Sequence, residues 1–320
     1  MYKKILLLCG AISVAGVGIF FLSVQRTKDP SIALQESEPV ALQEEVASAT
    51  VELLVDMVTT SEVAETDIEQ IPPVTPIQFD RINQQLIVAH AMGTIATTTV
   101  DGTGTNSLEA FLYSYEQGFR IFEIDIVITA DDQAFLLHDN TEPLVGLRAG
   151  DTYRSVSSSA ILGKKFRDTF TILTWHDALV LLQTYRDVSF VLDIKDEFAH
   201  TLEILAADPL FYEGNIKDRI IPQVYNPDDM MSVRTYEFND VIFTLYRSEM
   251  TDDEVVSFVG ENPDITVVTM WWDKRYTDRF AVLLRDRGVG TYVHTPNQRD
   301  VVRSFLIKGV GVYTDVFWKK

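Results

Sequence analysis

The chain has 320 residues, 46% of them apolar, and a formal charge of −20. That length holds one large domain or two ordinary ones, with enough apolar content for a sizeable core. The charge argues against nucleic acid as a partner and against electrostatic attraction to anionic lipid. It leaves an anionic substrate open wherever a metal ion or a lysine overrides the global field.

Lys3 and Lys4 precede an uncharged run from Ile5 to Val24. Such a run is long enough to cross a bilayer as a helix, and long for the apolar region of a signal peptide. Residues 1–28 are therefore expected to form a transmembrane signal anchor, with a cleaved signal peptide as the alternative. The basic pair places the N-terminus in the cytoplasm and the rest of the chain outside it. Arg26 and Lys28 pull the other way. If the segment is cleaved, the protein is secreted. Cys9, the one cysteine, lies inside this run after Leu8 and does not read as a lipoprotein site; no internal disulfide can form.

Residues 29–79 carry eleven acidic side chains and no basic ones, and close on Ile71-Pro72-Pro73-Val74-Thr75-Pro76. This composition predicts a disordered acidic linker with a stiff Pro-containing end, holding a domain away from a membrane. From residue 80 to 320 the remaining charge is −13, since residues 1–28 carry +4 and 29–79 carry −11.

In that last segment strand-like runs alternate with helical stretches. Strands are expected at Leu86–Ala91, Ile121–Thr129, Ala134–His138, Ser189–Lys195, Ile220–Tyr225, Val241–Tyr246, Ile265–Met270 and Gly290–Thr295, with a short tail at Gly311–Thr314. Helices fit between them at Ser107–Gln117, Thr174–Tyr185, Glu197–Ala206, Pro227–Glu237, Thr251–Glu261, Thr277–Arg287 and Gln298–Ile307. Eight strands with mostly helical connections predict an α/β (β/α)8 barrel over 80–320. A doubly wound open sheet is the runner-up, but no Gly-rich nucleotide loop supports it.

The strand Ile121–Ile128 sets the chemical problem. Phe122, Ile124, Ile126 and Ile128 lie on one face; Ile121, Glu123, Asp125 and Val127 lie on the other. In a parallel sheet covered on both sides, two carboxylates then point the same way into the interior. Buried like charges of this kind need a metal ion, a shared proton or a cationic partner. Active sites of such barrels lie at the C-terminal strand ends, and those ends are polar here. They carry His90, Glu123, Asp125, His138-Asp139, Asp193 and Lys195, the last two on one inner face. Each has a plainer reading as an edge carboxylate, an ion pair or a core histidine, but all converge on one mouth.

Softer candidates for substrate contact are His294, Gln223, Tyr225 and Trp272, all at strand ends. His176 and His200 read as helix-surface residues. Residues 140–171, polar and holding Gly146, Gly150 and Ser157-Ser158-Ser159, read as a loop over the mouth.

The ordered set His90-Ala91-Met92-Gly93, Thr105-Asn106-Ser107-Leu108-Glu109-Ala110-Phe111, Glu123-Ile124-Asp125, His138-Asp139, Asp193-Ile194-Lys195 and Gly309-Val310-Gly311-Val312-Tyr313-Thr314-Asp315 resembles the glycerophosphodiester phosphodiesterase family. That family lies within the phosphatidylinositol-specific phospholipase C-like barrel superfamily. The resemblance spans roughly residues 86–318. It implies one divalent cation, Mg²⁺ or Ca²⁺, held by Glu123, Asp125 and Asp193. It also implies acid–base catalysis by His90 and His138, and a phosphate contact from Lys195. Oxygen ligands suit those ions.

Two departures stand out. The family's arginine after the first histidine is replaced by Ala91 and Met92. The third acid is Asp193 rather than Glu, which is similar to the sphingomyelinase D branch. The expected function is hydrolysis of glycerophosphodiesters, phospholipid head groups or an envelope phosphodiester polymer. His90 is read as base and His138 as acid. Alternatives are a phospholipase-type lyase that forms a cyclic phosphate, and a non-catalytic barrel that binds an envelope glycopolymer.

Overall fold

A computed structural model describes residues 9–14, 17–22, 86–96 and 98–316. The acidic linker expected over 29–79 lies outside the described residues. The chain divides into two units, 1–67 and 68–320.

In the first unit, Cys9–Val14 and Val17–Leu22 are strands paired antiparallel, with Cys9 opposite Leu22. Among the described residues no helix is long and apolar enough to cross a membrane. This departs from the helix expected over 1–28. The run is rich in β-branched and aromatic residues and is broken by Gly10, Gly16 and Gly18, a composition that weakens helix propensity.

The second unit is a closed barrel of eight parallel strands. They are β1 (Ile87–Ala89), β2 (Ile121–Ile128), β4 (Ser189–Ile194), β5 (Ile220–Val224), β6 (Val241–Thr244), β7 (Ile265–Trp271), β8 (Gly290–His294) and β9 (Gly311–Thr314). Closure comes from β9 pairing with β1, and β1 with β2. β3 (Ala134–Leu136) stands apart: it pairs antiparallel with the end of β2.

This corrects the expected strand set. Ala134–His138 is not a barrel strand, and the tail Gly311–Thr314 is the eighth. Only residues 129–133 separate β2 from β3. A parallel crossover needs a dozen or more residues, so a connection this short can only turn back as a hairpin. The Thr129 N–H donates to Gln133 O at 2.9 Å and closes it.

Among the described residues seven helices cover the outside, each within two residues of its expected span except one. They are α1 (Leu108–Gln117), α2 (Trp175–Thr184), α3 (Phe198–Ala206), α4 (Met230–Thr235), α5 (Asp252–Glu261), α6 (Asp278–Arg285) and α7 (Arg299–Ile307). The exception is α4, where Pro227–Asp229 forms a separate 3-10 turn ahead of the helix. Thr174 with Asp177, and Thr251 with Glu254, form reciprocal caps that satisfy the first free N–H groups of α2 and α5. Phe111 of α1 and Leu179 and Leu182 of α2 are fully buried on the helix faces turned inward.

The barrel interior is layered by strand parity. Val88, Ile121, Val191, Ile221, Ile242, Val267, Tyr292 and Tyr313, one from each strand, form a separate apolar cluster. Two residues further along each strand stand His90, Glu123, Asp193, Gln223, Thr244, Thr269, His294 and Asp315. One step toward the C-terminal ends therefore turns an apolar plug into a polar floor. The plug is packed without slack. Gly311 has Tyr292 so close that a methyl in place of its hydrogen would overlap the ring, and that ring is fully buried. Gly311→Ala is expected to lower stability by about 1–3 kcal/mol, the usual cost of overpacking. A urea unfolding midpoint within error of wild type would show that the ring has room to move.

Candidate active site

Glu123 and Asp125 reach the interior from β2, and Asp193 from the neighbouring β4, where it sits in register with Asp125. All three are buried, Glu123 to 2% exposure. One oxygen of each carboxylate lies within 4.8 Å of the others. Three charges this close, out of water, repel one another strongly unless each is paired.

The pairing is partial. Lys195 Nζ donates to Asp193 Oδ2 at 2.7 Å and forms an ion pair with Asp125 Oδ1 at 2.8 Å, without hydrogen-bond alignment. It is the counter-ion of two acids, a role that differs from the phosphate contact expected of it. Asn106, buried in a left-handed conformation with φ of 48°, donates from Nδ2 to Asp125 Oδ2 at 2.7 Å. Its Oδ1 accepts the Asp125 N–H at 3.1 Å. The Tyr225 hydroxyl is shared between the two Asp193 oxygens at 2.8 and 2.9 Å. Gln223 donates to that hydroxyl and accepts from Tyr313, which ties the site to the plug below.

Glu123 is the exception. Its Oε2 accepts the Ala91 N–H at 2.7 Å, while its Oε1 is buried without a hydrogen-bond partner. Burial, and then the charge of Asp125, push its carboxyl up to about 8. Burial also raises Asp125, but Lys195 and the two histidines outweigh it and hold that carboxyl below its ordinary value. Burial raises Asp193 despite Lys195. A buried acid with an orphaned oxygen beside two others, all with oxygen donors, fits a hard divalent cation. Glu123, Asp125 and Asp193 would hold it.

The two histidines flank this cluster. His90 follows β1 in a tight turn where Ala91 and Met92 both have positive φ, at 46° and 65°. Its Nδ1 pairs with Asp315 Oδ1 at 2.7 Å, so Nε2 faces the acids, 4.0 Å from Glu123 Oε2. Burial lowers the basicity of His90. The bond to Asp315 and the charges of Glu123, Asp315 and Asp125 outweigh this and raise it to about 9. Asp315 is itself fixed by Asn297, which donates to Oδ2 and accepts the Asp315 N–H. His138 stands on the loop after β3. Its Nδ1 pairs with Asp139 O at 2.7 Å, and its Nε2 lies 3.9 Å from Asp125 Oδ1. The Thr141 hydroxyl donates to His138 O and meets the Tyr153 hydroxyl.

Residues 140–171 form an ordered excursion. Val145, Tyr153, Ile161, Phe166 and Phe170 are buried in the main core. Glu109 of α1 accepts both the N–H and the hydroxyl of Thr171. The excursion thus holds His138 in place from one side.

The softer candidates separate. Gln223 and Tyr225 belong to the acid cluster. His294 is a packed residue: its Nε2 meets the Thr269 hydroxyl at 2.9 Å and its ring lies 4.5 Å from that of Tyr313. Burial holds it down to about 3, so it stays neutral. Trp272 packs against the outer core. Trp271, which shares inner parity with Val267 and Thr269, packs at a tilt on Tyr246, 4.3 Å between ring centroids, and faces His294 instead. His176 and His200 are surface residues paired with Asp208 and Asp132, as expected.

Asp315, Asn106 and Asn297 carry roles that the sequence reading left unassigned. Asp315→Asn tests the first. It removes the charge behind Nδ1, so the basicity of His90 is expected to fall and the pH dependence of kcat/KM to shift to lower pH. An unchanged profile would sever Asp315 from the chemistry of His90.

No family model matches the chain, and no curated protein matches its sequence. Solved structures do match. A glycerophosphodiester phosphodiesterase from Thermotoga maritima aligns with TM-score 0.57 and 17% identity, over 72% of this chain and 94% of its own. One from Parabacteroides distasonis aligns at 0.56 and 15%, over 72% and 92%. A phosphodiesterase from Oleispira antarctica, in complex with the product sn-glycerol-3-phosphate, aligns at 0.58 and 14%, over 72% and 92%. At these identities the likeness establishes a shared fold.

Proposed function

We propose that this barrel is a metal-dependent phosphodiesterase that hydrolyses glycerophosphodiesters, acting outside the cytoplasm. The observation that carries this reading is the buried cluster of Glu123, Asp125 and Asp193, with Glu123 Oε1 unpartnered and an imidazole Nε2 turned toward it from each side. The shared fold, and the product held by the Oleispira antarctica enzyme, support a glycerophosphodiester as substrate.

Displacement at a phosphodiester needs one group to take a proton from the nucleophile and another to give one to the leaving oxygen. Asp315 fixes a proton on His90 Nδ1 and turns Nε2 toward the acids; a cation held by those acids would offset the charge that raises His90 to about 9, and Nε2 would then take a proton as base. His138 has its Nδ1 engaged with the Asp139 carbonyl and its Nε2 free, so it serves the leaving oxygen as acid. Glu123, Asp125 and Asp193 would hold Mg²⁺ or Ca²⁺, which would supply positive charge for a phosphoryl oxygen. Lys195 orients Asp125 and Asp193 and its charge favours the ionised form of both.

The decisive experiment is hydrolysis of a panel: glycerophosphocholine, phosphatidylinositol, sphingomyelin, lysophospholipids and a teichoic-acid fragment, with and without EDTA. Turnover of none with Mg²⁺ or Ca²⁺ sinks the enzymatic reading and leaves a binding barrel. Phosphorus NMR of the product separates hydrolysis from cyclisation, the outcome that the Asp193-Ile194-Lys195 strand would favour.

The extracytoplasmic placement rests on Lys3-Lys4, the apolar run and the acidic residues 29–79. In lipid an isolated hairpin leaves its edge N–H and C=O groups unsatisfied, so a membrane-embedded run would have to be helical. Membrane fractionation with protease accessibility of residues 80–320 tests this; a soluble, protease-protected protein ends it.

A further inference from the structure

A phosphate entering this mouth meets few cations that are free to receive it. Lys195 is already engaged with Asp125 and Asp193. Ala91 and Met92, directly after His90, are buried apolar side chains and offer no guanidinium. Two other cations are placed at the mouth by ring contacts. The Arg247 guanidinium lies over Tyr225, 5.7 Å from the ring centroid, and Lys274 Nζ lies over Trp271 at 5.0 Å. Among the described residues, neither is within ion-pair distance of a carboxylate.

The two are not equivalent. Tyr225 is the ring whose hydroxyl binds Asp193, so Arg247 stands one aromatic ring away from the acid cluster. Lys274 stands over Trp271, whose ring faces Tyr246 and His294 and has no bond to the acid cluster among the described residues. The turn that carries Arg247 is also held in place. The Leu245 N–H donates to Thr269 O at 2.8 Å, which extends the β6–β7 ladder past the end of β6. The Ser248 N–H donates to Leu245 O at 3.2 Å and closes the chain around Tyr246 and Arg247. Arg275 then clamps Met250 O at 2.8 Å.

On the phosphodiesterase reading above, we propose that Arg247 binds the phosphate of the substrate, supplying from the end of β6 the guanidinium that the end of β1 lacks. The chemistry suits the residue. A guanidinium stacks on an aromatic face and still presents two parallel N–H donors to a phosphate, which an ammonium cannot do. On the rim it stays hydrated until the anion arrives, so it costs the empty barrel little.

The test compares Arg247→Gln, Arg247→Lys and Lys274→Gln. With glycerophosphocholine and Mg²⁺, Arg247→Gln is expected to raise KM about tenfold or more, with a smaller change in kcat, since a charge-assisted contact is lost. Competitive inhibition by inorganic phosphate should weaken by the same factor, and Arg247→Lys should recover part of both. Lys274→Gln should stay close to wild type, and thermal unfolding should be unchanged in all three. Wild-type KM and phosphate inhibition in Arg247→Gln would overturn the assignment. Equal losses in Lys274→Gln would do so too, because they would mark a general field rather than a contact. Phosphorus NMR titration of inorganic phosphate against the protein reads binding without turnover. If the wild type hydrolyses nothing, the phosphodiesterase reading fails, and the titration still decides Arg247. Phosphate binding lost in Arg247→Gln supports it, and equal binding in both proteins overturns it.

Discussion

His90→Asn is expected to lower kcat by about two to four orders of magnitude, the range of a lost acid–base catalyst, with thermal unfolding close to wild type. The side chain is 36% exposed, so its removal opens no sealed cavity. Asp315 keeps Asn297 as a partner and is not left stranded. What goes is the nitrogen that faces Glu123 and the proton relay behind it. His138→Asn is expected to fall in the same range, because its Nε2 is the only imidazole nitrogen that faces Asp125 from the other side among the described residues. The double variant should be little worse than either single one, since the two groups act in one step. His90→Asn should also lose the limb of the pH profile that His90 sets. A loss below tenfold in either would remove that histidine from the proton transfers.

Much of this site was legible from strand parity alone. In β2, alternation placed Glu123 and Asp125 on the face that the barrel turns inward. In β4 it did the same for Asp193 and Lys195. Parity carries two further placements. Counting in twos from Val267 reaches Thr269 and Trp271, so the inner tryptophan is Trp271 and not Trp272. Counting from Tyr313 reaches Asp315, the partner of His90. Loop length held more: residues 129–133 are too few for a crossover, which makes Ala134–Leu136 a hairpin strand and promotes Gly311–Thr314 to the barrel.

Other features lie beyond any pattern in the chain. Lys195 is written next to Asp193, but whether it meets a substrate or bridges two acids depends on distances across β2 and β4. Asn106 reaches Asp125 from a left-handed turn, a conformation that no periodicity predicts. Residues 140–171 look polar because their anchors, such as Tyr153 and Phe166, stand singly between polar and charged residues. The apolar run before Val24 gives no period that separates strand from helix, and the described hairpin there departs from the length argument that favoured a helix.

Glu123→Gln should stabilise the metal-free protein and disable the loaded one. In the folded protein without metal, burial and Asp125 push the Glu123 carboxyl from 4.5 up to about 8. Between those pH values the folded chain keeps a proton that the unfolded chain has released. Stability therefore falls as pH rises through that window and is lowest above it. At ~1.4 kcal/mol per unit the loss amounts to a few kcal/mol. Glutamine still accepts the Ala91 N–H and carries no charge, so in EDTA the slope should flatten and the variant should be the more stable protein at pH 8. Mg²⁺ or Ca²⁺ reverses the order. An ion bound only by the folded state adds roughly 2.7 kcal/mol at a hundred times its Kd, and the wild type gains this while the variant, short of one carboxylate, gains much less. Calorimetric unfolding with and without the ion, at pH 5 and pH 8, reads all four states. A wild type whose unfolding temperature ignores both ions, or a variant that keeps the wild-type slope in EDTA, would end the assignment of this cluster as a cation site. The crossing of the two orders is what separates a metal ligand from a structural carboxylate, because a carboxylate kept for the fold would be missed most when nothing is bound to it.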